Sequence, residues 1–533
     1  MEKRALLAVV LSIAVLYGYS LIFPAPKPIA PVTAVQKQFS SSGVSTAPAV
    51  AASFKAPDIA LPAANLAVKD VTVDTDTYTA VFSTAGGALK RIVLKKYKES
   101  AVAGSKQETL LTENNPAYYN FATVAPAIGL PAGAVFTVDA DTLKVAKGER
   151  KSITFVWASP QGNQLRKVFT FDGDGYAIDL DQQVTSRSGL SNAVVQLLLQ
   201  NRSDTTTGDN RFEVHGPVTM TDNAVDAPKV KDLLKGAKHY SRNIIWTGFG
   251  DKYFLTSVLA KQGSIAAVTI TNANGYVETA IASPSLNVPS GGTATVSDKI
   301  FIGPKSLDVL KAQGGGLEAA INLGWFSMLA KPLLHSLKFF YGYTHNYGLA
   351  IIIITIILKL LFFPLTHKSY KSMKEMQKLQ PKMTALREKF KNDRDAMNKA
   401  IMELYQTHKV NPMGGCLPML VQIPVFFSLY KALMFSVELR HAPFMFWITD
   451  LSGKDPYYVT PVIMGATMFI QQKMTPSTMD PMQAKMMLAL PVVFTFMFLS
   501  FPSGLVLYWL VNNILTIAQQ VYINKSLREA EAK

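Results

Sequence analysis

Hydrophobic positions recur with two different periods along this chain. From about residue 63 to 308 the segments TVDTDTYTAVFSTAGG, LRKVFTFDGDGYAIDLDQQV and GSIAAVTITNANGYVETAIA alternate or cluster β-branched and aromatic residues. Period-two alternation suits a strand with one buried face, and DGDG and NANG read as turns. The pattern predicts one large antiparallel β-sandwich over 63–310. DGDG at 172–175 lacks the further acidic ligands and the offset glycine of a calcium loop, so it reads as a hairpin turn.

After AQGGG at 312–316 the period lengthens. Leu323, Phe326, Leu329, Leu333, Leu337 and Phe340 recur at three or four residues, while Lys331, His335 and Lys338 fall elsewhere. This predicts an amphipathic helix over 317–345, lying in a membrane interface or docked on the β domain. Apolar runs follow at about 347–365, 417–436, 457–471, 486–501 and 505–522, the last two joined only by FPSG at 501–504 in a tight hairpin. A further run, Ala5–Phe23, follows Lys3 and Arg4 and precedes prolines 24, 26 and 28. It is longer than the apolar core of a cleaved signal peptide, the rival reading, and is expected to be an uncleaved signal-anchor helix over 1–23. The Pro/Ala/Ser-rich stretch 24–62 reads as a disordered tether.

The fold class expected is therefore a polytopic α-helical membrane protein with six transmembrane helices and a large periplasmic β-sandwich. Its core of five spans occupies 346–523, with a cytoplasmic helical hairpin at 366–412 and a cytoplasmic tail at 524–533. Composition agrees: 49% of the 533 residues are hydrophobic and the mean hydropathy is +0.17. The net charge of +16 is concentrated beside the spans. Between His367 and Pro412 lie eleven Lys/Arg against five acids, whereas in 438–456 Arg440 and Lys454 are balanced by Glu438, Asp450 and Asp455. The positive-inside bias puts both termini and the hairpin in the cytoplasm and the β domain outside. No basic domain with interleaved aromatics suggests direct DNA binding.

Candidate chemistry is sparse. Cys416 is the only cysteine, the seven histidines are scattered, and Ser503 sits in PSG rather than G-x-S-x-G, so neither a metal nor another cofactor nor an enzyme is expected. The spans instead carry polar residues at helical spacing. Thr355 is four residues before Lys359; Gln422 and Ser428 lie in the next span, Thr467 and Gln471 in another, and Asn512, Asn513, Thr516 and Gln519 or Gln520 in the last. Singly these could be hydrogen-bonding glue between helices; together with a lysine they suggest a wet recess.

Lys359 is eight residues, about 12 Å, from His367, against about 15 Å for half the hydrocarbon. Its Cα–Cβ bond tilts toward the helix N-terminus, away from the cytoplasm, which opposes snorkelling and favours a hydrated cavity. Seventeen of the twenty methionines lie between Met373 and Met497, and Met373, Met376 and Met383 fall near one face of a cytoplasmic helix, suited either to varied apolar partners or to packing.

FFPLTHKSYKSMKEMQKLQPKM, YQTHKVNPMGGCLPMLVQIPVFFSLYKAL, SVELRHAPFMFWITDLSGKDPYY and FPSGLVLYWLVNNILTIAQQ closely resemble the YidC membrane protein insertases of Gram-negative bacteria. The resemblance runs the length of the chain; STAGGALKRIVLKKYK in the β domain carries it more weakly. It implies an inner-membrane insertase and chaperone without cofactor, whose hydrophilic groove opens to the cytoplasm and to lipid. It implies as partners nascent membrane proteins, the Sec translocon with its accessory SecDF, the ribosome through cytoplasmic loops and tail, and membrane lipids. Lys359 stands where the family usually has arginine, and Thr355, Gln422, Asn513 and Thr516 are expected around it. Tyr508 and Trp509 are candidates for a greasy slide, or for packing between helices. The rival function is a secondary transporter of a small anion held by Lys359, but no internal repeat supports it.

Overall fold

A computed structural model describes residues 67–203, 215–222, 224–390, 393–408, 410, 417–475 and 481–532. The anchor 1–23 and tether 24–62 lie outside the described residues.

The strands run from Asp70 to Pro304 and pair almost entirely antiparallel. One exception departs from the expected all-antiparallel sandwich: Asp70–Asp74 pairs in parallel with Thr142–Lys144. Among the described residues a nine-stranded sheet packs against two five-stranded sheets. Alternation works as the sequence suggests, with Val71 and Val73, or Leu165, Phe169 and Phe171, fully buried at every second position. Phe82 meets Phe169 and Phe171 across the layers at 4.9 and 5.8 Å. DGDG joins Asn163–Asp172 to Ala177–Ser186 as a hairpin. At NANG both Asn274 and Gly275 take positive φ (54° and 79°), the two-residue turn whose twist matches the strands.

Asp298, on the strand Thr293–Pro304, is 3% exposed. Burial raises its carboxyl to about 6 against the opposing pull of the Ser264 hydroxyl and the Lys261 ammonium. The folded chain therefore binds more protons than the unfolded chain between about pH 4 and 6, and stability falls as pH rises through that window. Asp298→Asn is expected to remove this fall and add about 2–3 kcal/mol at pH 7.5. Thermal unfolding across the window checks it; an unchanged pH profile would refute the assignment.

The chain leaves the β domain through α1 (Leu307–Gln313) and two short 3-10 turns, Leu317–Ala320 and Gly324–Phe326. The predicted helix over 317–345 is continuous only as α2, Ser327–Thr344. It has two apolar faces. Ala330, Leu334 and Leu337 are buried, whereas Trp325, just before the helix, and Met328, Phe339 and Tyr343 are exposed. Leu329, expected on the packed face, is 43% exposed. Lys338, expected on a polar face, lies in a junction with the β domain. Its Nζ donates to Asp308 (2.8 Å) and the Ser306 hydroxyl (3.1 Å) and pairs with Glu438 at 2.7 Å. Burial pushes the Glu438 carboxyl up, but Lys338 together with the Ser436 hydroxyl and a backbone N–H outweighs it and holds the group below its ordinary value. The apolar core of the β domain continues without interruption through Leu323, Ala330 and Leu334 to Met434, Phe435 and Val437.

The remaining helices are α3 (Tyr347–Leu361), α4 (Phe363–Lys378), α5 (Gln380–Lys389), α6 (Arg394–Thr407), α7 (Leu417–Phe435), α8 (Val459–Met474), α9 (Pro481–Phe498) and α10 (Ser503–Ala532). Asn346 begins α3: its side-chain oxygen caps Leu349 N and its amide donates to Phe444 O, tying the start of the helix to the loop between α7 and α8. The apolar run 347–365 does not form one straight helix. Pro364 has no N–H for the carbonyl of Leu360, and the axis bends by 59° between α3 and α4. Among the described residues no single helix is long and apolar enough to cross a membrane; this bent pair passes by length and composition together.

Candidate functional site

α10 is the central helix of the site, packed on α3 and α8. Successive residues on a helix are about 100° apart, so its polar residues divide into two ridges. On one ridge Thr516 and Gln519 reach α3 and Asn512 meets Gln422 of α7; on the other Asn513 and Gln520 meet α8.

The first ridge meets Lys359. Its Nζ donates to Thr516 Oγ1 at 2.7 Å, and that hydroxyl donates in turn to Asn512 O at 2.6 Å. Gln422 of α7 donates from Nε2 to Asn512 Oδ1 at 2.8 Å. Lys359, Gln422 and Asn512 border a small open recess whose other walls are Thr355, Leu358, Phe362, Leu365, Thr366, Val425 and Tyr508; Thr516 holds the Lys359 ammonium but is not among the lining residues. The bend at Phe362 creates it, because α4 swings away and contributes Leu365 and Thr366 as a side wall. Among the described residues no carboxylate pairs with Lys359. Its ammonium has three donors and uses one on a neutral hydroxyl.

Lys359 lies two residues before the end of α3, so the depth inferred along a straight helix to His367 does not apply. Thr355 is 1% exposed, and its hydroxyl is used on Ile351 O at 2.7 Å. Asn513 does not line the recess: it is buried on the other ridge and donates to Thr467 Oγ1 at 3.4 Å. Asn512 takes the lining position instead. Tyr508 lines the recess but is 3% exposed and stacks near Phe426. Trp509 packs between Phe426 and Phe498, with ring centres at 4.6 and 5.0 Å, away from the recess.

The hairpin's first limb breaks at Leu379 into α4 and α5, and α6 returns beside α5. Met376 and Met383 are buried inside it with Leu379 and Val410, and Tyr405 Oη donates to Met383 Sδ at 3.3 Å. Of the three methionines expected to contact substrate, Met373 is the one left half-buried. Phe362, Leu365 and Thr366 were missed as lining residues, because their place depends on the bend. Asn512 could have been chosen from its four-residue spacing to Thr516.

The chain matches the family models described as 60Kd inner membrane protein over residues 339–530 and YidC periplasmic domain over 70–336. It is 58% identical to the membrane protein insertase YidC of Geobacter metallireducens, over the full length of both chains. It is 59% identical to the same protein from Geobacter sulfurreducens, again over both full lengths. A solved structure of active YidC insertase with its first transmembrane domain resolved aligns with 84% of this chain and 92% of that one, at 19% identity and TM-score 0.38.

Proposed function

This chain belongs to the YidC family of membrane protein insertases, and from that membership we propose how it works: nascent membrane proteins lodge their hydrophilic ends in the recess around Lys359. Membrane protein insertion is its activity, at the inner membrane, with a β-rich domain in the periplasm. In the proposed arrangement six helices span the bilayer, counting 1–23. Both termini and the 366–412 hairpin are cytoplasmic, and the exposed face of α2 lies in the outer interface.

The observation that carries the reading is Lys359 itself, an ammonium beside an open recess whose described partner is the neutral Thr516 hydroxyl. A buried charge without a carboxylate favours an arriving anion, and a polar recess replaces part of the hydration that a substrate's hydrophilic segment loses in hydrocarbon. The substrate's apolar helix meanwhile moves along the exposed apolar faces of α3 and α10, where Ile356, Ile357, Ile514 and Val521 are exposed. Action alone or with the Sec translocon and SecDF, and ribosome contact through the hairpin and tail, complete the proposal. It is tested by depleting the chain in cells and mapping a small two-span protein with protease from outside. Loss of the protected-to-cleaved change is expected; normal insertion without the chain would refute the function.

A further inference from the structure

Lys359 is gripped at both ends by one ridge of α10. While Thr516 accepts from the ammonium, Gln519, three residues further along, donates from Nε2 to the backbone carbonyl of Lys359 at 3.2 Å. That carbonyl is among the last four of α3, which have no assured partner within the helix. The adjacent residue repeats the arrangement on the other side: Gln520 is fully buried and donates to Met474 O, the last carbonyl of α8, at 2.7 Å. Two consecutive glutamines thus cap the ends of two different helices, which only side chains about 100° apart on one helix can do.

We propose that Gln519 is a positioning residue for Lys359, holding the end of α3 so that the ammonium stays at the recess. A carbonyl anchored by a side-chain amide fixes the last turn before the bend and with it the direction of the Lys359 Cα–Cβ bond. Thr516 alone fixes the far end of a four-carbon chain whose root would otherwise move with the bend. Gln520 serves α8, which does not border the recess, and so provides the comparison: it shares the chemistry of the half-buried Gln519, is itself fully buried, and has a different target.

The inference rests on the insertase reading of Lys359, and the test separates the two. The full-length chain is placed in proteoliposomes with Gln519→Leu, Gln519→Met, Gln520→Leu, Lys359→Ala and the double variant Gln519→Leu/Lys359→Ala. Two single-span substrates are inserted, one with an acidic and one with an uncharged translocated segment. Gln519→Leu and Gln519→Met are expected to slow the acidic substrate about three- to tenfold, the range of one hydrogen bond, and to spare the uncharged one. In the Lys359→Ala background Gln519→Leu is expected to add nothing, the signature of a residue acting through another. Gln520→Leu is expected to slow both substrates alike. Equal slowing of both substrates by both Gln519 variants, or an effect that multiplies with Lys359→Ala, would overturn the assignment while leaving the insertase reading intact. An unchanged acidic substrate in Lys359→Ala would overturn the role of Lys359 and this inference with it.

Discussion

Lys359→Ala is expected to reduce insertion of a protein with an acidic translocated segment by about tenfold or more, and Lys359→Arg to retain it. The magnitude follows from the loss of a charge-assisted interaction, worth about 1.5–3 kcal/mol. Arginine keeps the charge and adds a planar fork, while alanine leaves the Thr516 hydroxyl without the ammonium that donates to it. A substrate with an uncharged segment should distinguish little among the three, because the recess keeps Thr366, Gln422 and Asn512. Protease protection of radiolabelled substrate measures the effect. Equal insertion by all three forms would reduce Lys359 to a lysine that merely reaches the headgroups.

The second large effect is expected where the membrane part meets the β domain. Arg440 in the loop between α7 and α8 reaches into the β domain. It donates to Lys98 O at 2.5 Å and Glu108 Oε2 at 2.6 Å, and its guanidinium lies over the Phe254 ring at 5.3 Å. The two side chains are only 11% and 18% exposed. Burial raises the Glu108 carboxyl and Arg440 draws it part of the way back, so losing Arg440 leaves the burial unopposed by its cation. Arg440→Ala leaves a buried acid without its cation and is expected to cost about 3–5 kcal/mol. Hydrogen exchange of the strand Gln107–Thr112 in the full-length chain should accelerate, and Arg440→Ala/Glu108→Gln should recover much of the loss. A double variant as damaged as Arg440→Ala would show that the guanidinium acts through packing on Phe254 instead.

The β domain was legible because its strands obey a strict parity, and DGDG and NANG end strands where the sequence says they should. Parity also places Lys167 at a core position, where three carbonyls receive its ammonium; hydrophobicity alone gives no hint of that. In the membrane core the polar residues were legible as a set, but not by which face each one takes. Asn512 and Asn513 are adjacent, and only packing on α3 and α8 decides which borders the recess. Likewise, the three methionines share a face on one continuous helix, yet the break at Leu379 folds two of them inward. The bend at Phe362 was written in Pro364, which a reading of hydropathy alone passes over.

That bend also sets a length. The 15 residues of α3 rise about 22 Å, whereas the hydrocarbon of a typical bilayer is about 30 Å thick. Lipid beside a short span adapts by compressing, at a cost of a fraction of a kcal/mol per ångström of mismatch. In the proposed arrangement the membrane beside α3 is expected to thin, and a hydrophilic segment entering there would have less hydrocarbon to cross before any charge has acted on it.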